Sequence, residues 1–142
     1  KDIEELVALG SAIRMVKGAY LEPPDIAFPE KADVDENYFK ICARLLQDDN
    51  TKPGALTHIA THDPVLQDRL MKVVADRKVS TDRYEFAMLF GITTARQKEL
   101  AAQGQRTRCL ISYGEFWFPW YMRRLAERPA NVWFVVRNMF KG

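Results

Sequence analysis

Short apolar runs alternate along this chain with longer stretches in which apolar residues recur at helical spacing. The short runs predict four β-strands, and the longer stretches predict the helices between them. One more helix is predicted ahead of the first strand, at Asp2–Leu9, and it ends at Gly10. The predicted strands are Ala12–Val16, Ala55–Ala60, Arg83–Ala87 and Arg108–Ser112.

Capping residues mark the ends of the helices that follow the strands. Asp35 is predicted to cap one helix, and Asp63 the next, which begins with Pro64. Gly104 ends the third helix, and Pro129 breaks the fourth. The predicted helices are Asp35–Leu46, Pro64–Asp76, Thr94–Gln103, Phe116–Arg128 and Val132–Phe140.

This alternation predicts an α/β fold with a parallel sheet and right-handed crossovers. Four strand–helix units are half of a (β/α)₈ TIM-type barrel, and a small open parallel sheet is the competing topology. Residues 1–142 contain no inter-domain linker and are interpreted as one segment of a domain. Because the sequence opens at Lys1 in what the pattern indicates is the middle of a helix, we expect an upstream part of that domain to exist.

Charge and cysteine content narrow the class of protein. The net charge of +2, from 21 basic and 19 acidic side chains, is too balanced to indicate a nucleic-acid partner. No stretch of the sequence reaches the ~20 apolar residues of a transmembrane helix. Cys42 and Cys109 lie in apolar runs, which predicts buried thiols and a cytoplasmic location.

Residues able to carry chemistry lie where the predicted strands end. Arg14 and Lys17 bring positive charge to the end of the first strand, and Gly18 lets a ligand approach the backbone there. Since the carboxyl ends of barrel strands meet on one face, we expect an anion or cofactor site at this face. The candidates at the other strand ends are Thr61, His62, Asp63, Tyr84, Glu85, Phe86, Tyr113 and Gly114.

His62 has two interpretations, as a hydrogen-bonded structural residue or as a functional one. His58 lies four residues earlier on a strand, which is not a metal-ligand spacing, and no cysteine or carboxylate pair is adjacent in sequence. No metal site is therefore predicted. The absence of a GxGxxG or P-loop motif leaves a Rossmann dinucleotide site and a nucleoside triphosphatase unsupported.

Arg123 and Arg124 also have two interpretations. With Glu127 they fit a solvated helix face that carries an i,i+4 ion pair. The aromatic run that precedes them favours a buried helix, in which guanidinium groups need partners and a small carboxylate substrate would suit them.

Four segments in order resemble motifs of the FAD-dependent proline dehydrogenases, in particular the bacterial single-activity enzymes. Together they span nearly the whole chain. The segments are Arg14–Tyr20, Ala60–Asp63, Tyr84–Gly91, and Tyr113-Gly114 followed by Tyr121–Pro129.

The resemblance implies the C-terminal half of a distorted (β/α)₈ barrel that holds FAD at the carboxyl ends of its strands. The implied reaction oxidises L-proline to 1-pyrroline-5-carboxylate by hydride transfer to flavin N5, and electrons pass to a quinone. Implied partners are the upstream half of the barrel and a pyrroline-5-carboxylate dehydrogenase. The implied location is cytoplasmic or peripheral to the inner membrane.

The resemblance also assigns residues to roles. Arg14, Arg123 and Arg124 are the implied catalytic residues. The implied cofactor-binding residues are Arg14, Val16, Lys17, Gly18, Ala19, Tyr20, Thr61, His62 and Asp63. The implied substrate-binding residues are Leu89, Arg123, Arg124 and Glu127.

Four positions depart from the family pattern. Ala87 replaces a usual glutamine, Leu110 a usual tyrosine, Ser112 a common proline, and Asp63 an asparagine of some relatives. The lost tyrosine makes 4-hydroxyproline a conceivable substrate. A non-catalytic remnant that binds a partner is the other alternative, and the isolated chain is expected neither to hold FAD tightly nor to turn over proline.

Overall fold

The computed structural model describes residues 2–17, 23–50, 52–119 and 122. Four strands form one sheet, and helices alternate with them along the chain. The strands are β1 (Ala12–Val16), β2 (Leu56–Ala60), β3 (Tyr84–Leu89) and β4 (Thr107–Leu110). The helices are α1 (Asp2–Leu9), α2 (Lys31–Leu45), α3 (Pro64–Asp76) and α4 (Thr94–Ala102).

The strands lie in the sheet in their chain order, and each neighbouring pair is parallel. Right-handed crossovers in a sheet that grows in one direction place all of the helices on one face, as in a barrel. A doubly wound sheet instead reverses direction and carries helices on both faces. The predicted fold class, with four parallel strands alternating with helices, is confirmed.

The hydrophobic core lies between the sheet and its helices. Ile59 of β2 and Phe86 of β3 are fully buried there, and Leu70 of α3 packs in the same cluster. The alternate residues of the strands point away from this core. The helices therefore cover one face of the sheet over β2 and β3, and the described elements leave the other face uncovered.

Local signals fixed the start of α3. Asp63 is its N-cap: Oδ1 accepts hydrogen bonds from the backbone N–H groups of Val65, at 3.0 Å, and Leu66, at 3.4 Å. Pro64 occupies the first helical position, where a missing N–H costs nothing. The predicted capping by Asp63 is confirmed, and so are the predicted bounds of α1, β1 and α3.

The predicted N-cap at Asp35 is wrong. The helix begins four residues earlier, at Lys31, and Glu30 is the N-cap residue, without a side-chain capping bond. Asp35 lies in the second turn of α2, where its carboxylate forms ion pairs with Lys17 and Lys31. The Asp35 carboxylate, which the local pattern assigned to a helix cap, therefore forms ion pairs instead, one of them with the distant residue Lys17.

The sheet also corrects two predictions near its fourth strand. β3 runs to Leu89 rather than Ala87, because β4 pairs with it up to Leu110. Cys42 is buried as predicted, but Cys109 is exposed, so its prediction as a buried thiol is wrong.

The end of the chain is only partly described. Residues 117–119 and 122 are helical, within the predicted helix Phe116–Arg128, whereas the rest of that helix and the final predicted helix lie outside the described residues. No helix among the described residues is long and apolar enough to cross a membrane.

Candidate active site

The carboxyl ends of the four strands form one rim of the sheet, because all four strands run in the same direction. The last strand residues at this rim are Val16, Ala60, Leu89 and Leu110. Predicted functional residues lie both in these strands and in the segments that follow them. In α/β folds this rim is where ligands bind.

The face of the sheet that points away from the helices is here called the inner face. In β1, Arg14 and Val16 lie on the inner face and are exposed, whereas Lys17 turns to the helix side and is buried. The inner face consists of the alternate strand residues Ala12, Arg14, Val16, Leu56, His58, Ala60, Glu85, Ala87, Leu89, Arg108 and Leu110.

A pocket of about 650 Å³ opens at the rim between the ends of β3 and β4. Its volume lies within the range of small-molecule sites, roughly 300–1,000 Å³. Leu89, predicted to contact a substrate, lines this pocket together with Leu110 and Ser112, two of the positions that depart from the family pattern. The remaining lining residues are Phe90, Gly91, Ile111, Tyr113, Gly114 and Trp117.

His62, which follows β2, joins the ends of β2 and β3. Its Nε2 accepts a hydrogen bond of 3.1 Å from the backbone N–H of Leu89, and its Nδ1 lies 3.1 Å from Thr93 Oγ1. The structure therefore places His62 against the pocket residue Leu89. Thr61 turns to the helix side, where its Oγ1 accepts from the backbone N–H of Asp63 and its carbonyl accepts from Gln67.

Lys17 is held in a cluster of ion pairs on the helix side of the rim. Its side chain is 2% exposed, and Nζ lies 2.5 Å from Asp63 Oδ2 and 2.6 Å from Asp35 Oδ1. Lys31 pairs with the same two carboxylates. Burial alone would raise the pKa values of both aspartates, but the lysine partners outweigh it and leave both pKa values below 3.8. The Lys17 ammonium thus ties β1 to α2 and to the N-terminus of α3.

Arg14 lies beside His58 in the register of β1 and β2. Its guanidinium has no hydrogen bond or ion pair with the residues that the structure describes, and it is exposed on the inner face. An exposed cation on the inner face suits an electron-rich or anionic ligand.

A polar cluster around Glu85 was not predicted. The Glu85 side chain is 4% exposed on the inner face, and its Oε1 lies 2.5 Å from His58 Nδ1. Arg108 donates to both carboxylate oxygens, with Nη2 at 3.1 Å from Oε2. Burial would raise the pKa of Glu85, but hydrogen bonds from Arg108 and His58 outweigh it and lower the pKa below 4.5. The available signal was a lone carboxylate inside the apolar run 84–89.

The remaining predicted site residues, Gly18, Ala19, Tyr20, Arg123, Arg124 and Glu127, lie outside the described residues. Within the part of the chain that is described, no three metal-ligating side chains come together.

The motifs at the rim belong to a match that extends over most of the chain. The family model described as proline dehydrogenase matches residues 8–137. This chain belongs to the proline dehydrogenase family. The match includes every predicted site residue.

Individual relatives agree with the family match. The chain is 47% identical to a proline dehydrogenase of Deinococcus radiodurans over 130 residues, which cover 92% of this chain and 40% of the relative. It is 43% identical to proline dehydrogenase 2 of Bacillus subtilis over 141 residues, which cover 99% of this chain and 45% of the relative. The chain therefore spans less than half the length of these curated relatives.

A solved structure shares the fold. It is proline utilization A from Bdellovibrio bacteriovorus, inactivated by N-propargylglycine, with a TM-score of 0.74 at 24% sequence identity. The superposition covers 87% of this chain and 14% of that one. This likeness supports a TIM-barrel-type arrangement over the open-sheet alternative.

Proposed function

We propose that this chain is the C-terminal part of the barrel domain of a proline dehydrogenase. In the complete protein it would oxidise L-proline to 1-pyrroline-5-carboxylate with FAD as cofactor. The observation that carries the proposal is that Arg14 and the pocket-lining Leu89 lie on the same inner face of the sheet. Both belong to segments covered by the family match.

The residues at the rim fit a flavin. Arg14 offers an exposed guanidinium, and Val16, two residues along on the same face, is 53% exposed and offers an apolar contact for a ring. A cation near N1, C2 and N5 of a flavin stabilises the more negative reduced form. The other cofactor contacts that we propose come from Lys17, Gly18, Ala19, Tyr20, Thr61, His62 and Asp63.

The substrate would lie in the rim pocket. Leu89 would pack against the pyrrolidine ring, and the apolar lining would exclude water from the reacting carbon. We assign the substrate carboxylate to Arg123 and Arg124, whose planar groups can each donate two hydrogen bonds, with Glu127 bracing them.

The reaction removes a hydride from the ring carbon next to nitrogen and a proton from the nitrogen, and a carbon–nitrogen double bond forms. Bound FAD supplies the hydride acceptor, at N5. The task of the chain is to hold the substrate carboxylate and ring so that this C–H bond points at the acceptor.

The proposal includes partners that lie outside this chain. The upstream half of the barrel would cover the inner face and both edges of the sheet, a quinone would reoxidise the cofactor, and a pyrroline-5-carboxylate dehydrogenase would consume the product. A quinone acceptor favours a cytoplasmic protein that reaches the inner membrane peripherally.

The test is a visible spectrum of the complete protein after incubation with FAD and removal of free cofactor. We expect a retained flavin spectrum that bleaches anaerobically when L-proline is added. A flavin that is retained but not bleached would contradict the activity and favour a non-catalytic binding protein. The 142-residue chain alone is expected to retain no flavin, and stoichiometric flavin on it would contradict the need for an upstream half.

Substitutions sharpen this test. Arg123→Met and Arg124→Met should each retain flavin but require far more L-proline for bleaching, since each removes a carboxylate partner. Lys98→Met removes an exposed cation of α4 and is the matched control, with no expected change. Equal behaviour of all three variants would contradict the assigned carboxylate site.

A second substrate, 4-hydroxyproline, is favoured by one observation. Leu110 lines the pocket beside Leu89, and it lacks the hydroxyl and ring face of the tyrosine usual in the family. The ratio of kcat/KM values for proline and 4-hydroxyproline decides between them. Leu110→Tyr should shift this ratio towards proline.

A further inference from the structure

The end of β3 is held by side chains where its backbone pairing to β2 stops. The register joins β2 and β3 only as far as Ala60 and Ala87, so β3 continues two residues beyond its neighbour. The backbone N–H of Leu89 therefore has no strand carbonyl on that side. His62 Nε2 takes the place of that carbonyl, at 3.1 Å.

The other backbone group of Leu89 is also held by a side chain. Its carbonyl accepts a hydrogen bond of 2.8 Å from Gln97 Nε2, which also donates to the carbonyl of Ile92 at 3.0 Å. Two side chains, His62 from the loop after β2 and Gln97 from α4, thus fix the backbone of Leu89, which lines the rim pocket.

The direction of each hydrogen bond around His62 follows from its donors. A backbone N–H can only donate, so Nε2 must accept from Leu89 and carries no proton. In a neutral imidazole the proton then lies on Nδ1, which donates to Thr93 Oγ1 at 3.1 Å. The Thr93 hydroxyl in turn donates to the carbonyl of Ile92 at 2.8 Å, which completes one consistent chain of donors.

Thr93 has an unusual backbone for its residue type. Its φ of 50° lies in the left-handed region, where a β-branched residue is a strained outlier. Thr93 is also the N-cap residue of α4, yet its side chain makes no capping hydrogen bond. Its hydroxyl bonds His62 instead of the helix N-terminus, although threonine is favoured at caps for that very bond.

We infer that His62 is a positioning residue for the substrate pocket, held by Thr93 as the neutral tautomer with its proton on Nδ1. Through Nε2 it fixes the backbone of Leu89, and with it the apolar wall of the pocket. This inference deepens the proposed function and rests on it for the role of Leu89. The tautomer itself is independent of which substrate binds.

The first arm of the test measures the tautomer. ¹⁵N-histidine NMR of the complete protein with FAD should show a protonated Nδ1 and an unprotonated Nε2 for His62, with the resonances assigned by their loss in His62→Gln. A proton on Nε2, or a doubly protonated ring at neutral pH, would overturn the inference. This result does not depend on activity, so it separates failure of the inference from failure of the proposed function.

The second arm measures positioning. Thr93→Val keeps the β-branch and removes the hydroxyl, and it should raise KM for L-proline about five- to tenfold, the loss expected for one hydrogen bond, with kcat changed less than about twofold. Thr93→Ser keeps the hydroxyl and should restore KM. Thr94→Val makes the same exchange one residue along, at an exposed position, and should leave KM unchanged.

Flavin content and thermal midpoint are recorded for all three variants. An unchanged KM in Thr93→Val, or an equal loss in Thr93→Val and Thr93→Ser, would overturn the positioning role, because it would leave Thr93 with a structural role only. If Thr93→Val does not fold, Thr93→Asn replaces it. Asparagine tolerates the left-handed region and offers an acceptor to Nδ1, so it should keep KM close to that of the parent protein, and a large increase in KM would overturn the inference.

Discussion

Two adjacent residues of β3, Glu85 and Phe86, lie on opposite faces of the sheet and have opposite surroundings. Phe86 is fully buried in the helix-side core and packs edge-on against Tyr84, with ring centroids 6.1 Å apart. Glu85 is nearly as inaccessible, but its neighbours are the imidazole of His58 and the guanidinium of Arg108. Apolar contacts thus stabilise the buried side chain on the helix side, whereas ion pairs stabilise the buried side chain on the inner face.

Within β3, the residues that should stabilise the fold therefore lie on one face, and the polar residues lie on the other. The helix side of β2 and β3 is packed against the helices, and its energetics should follow apolar area. The inner face carries polar groups that satisfy one another, together with the exposed cation of Arg14. We expect substitutions on the helix side to affect folding most, and substitutions on the inner face to affect charge-dependent properties.

The largest effect is expected for Phe86→Ala. Removing a fully buried aromatic side chain should lower the free energy of unfolding by about 4 kcal/mol, through lost transfer energy and a residual cavity. Urea titration of the complete protein measures it. A loss below about 1 kcal/mol would mean that the helix-side core is not the main source of stability.

A smaller effect is expected for Glu85→Gln. Exchanging the carboxylate for a neutral amide weakens charge-assisted hydrogen bonds and should cost about 2 kcal/mol near neutral pH. Because the pKa of Glu85 is lowered in the folded state, its stabilisation is fully present above pH 4.5 and is lost as the pH falls through the lowered value. The difference between parent and variant should therefore shrink below pH 4.5.

Urea midpoints measured from neutral pH down to about pH 3 test this prediction. Glu5→Gln, at an exposed position of α1, is the matched control and should change stability by less than about 0.5 kcal/mol at every pH. A Glu85→Gln difference that grows in acid would mean that the carboxylate is strained by burial rather than stabilised by its partners.

The smallest effect on stability is expected for Arg14→Met. The guanidinium is exposed and has no partner in the described part of the chain, so the flavin-free protein should change by less than about 0.5 kcal/mol. Reduction of bound flavin by L-proline should nevertheless be strongly slowed. A large loss of stability without loss of flavin reduction would contradict this prediction, because Arg14 would then stabilise the fold and not act on the flavin.

The features of the fold that were predicted correctly depend on residues close together in the sequence. Asp63 and Pro64 mark the start of α3 within two residues, and Gly10 adopts the positive φ of 71° that ends α1. The predicted ends of β1 and β2, at Val16 and Ala60, also match the structure. These features need no knowledge of distant contacts.

The parts that were missed depend on residues distant in sequence. Asp35 pairs with Lys17 rather than capping a helix. His62 meets Thr93, 31 residues away, and no spacing rule places the two together. The cluster around Glu85 likewise forms only when β2, β3 and β4 are in register.

The order of the strands in the sheet has a consequence for how this segment is made. Each strand pairs with the one before it in sequence, so no strand must wait for a later one to be inserted between existing partners. Each pairing joins only two successive strand–helix units, so the loop that it closes is no longer than one crossover. As the chain leaves the ribosome, the sheet can grow by one unit at a time from β1 to β4. Each new strand can then pair with the strand that was synthesised before it.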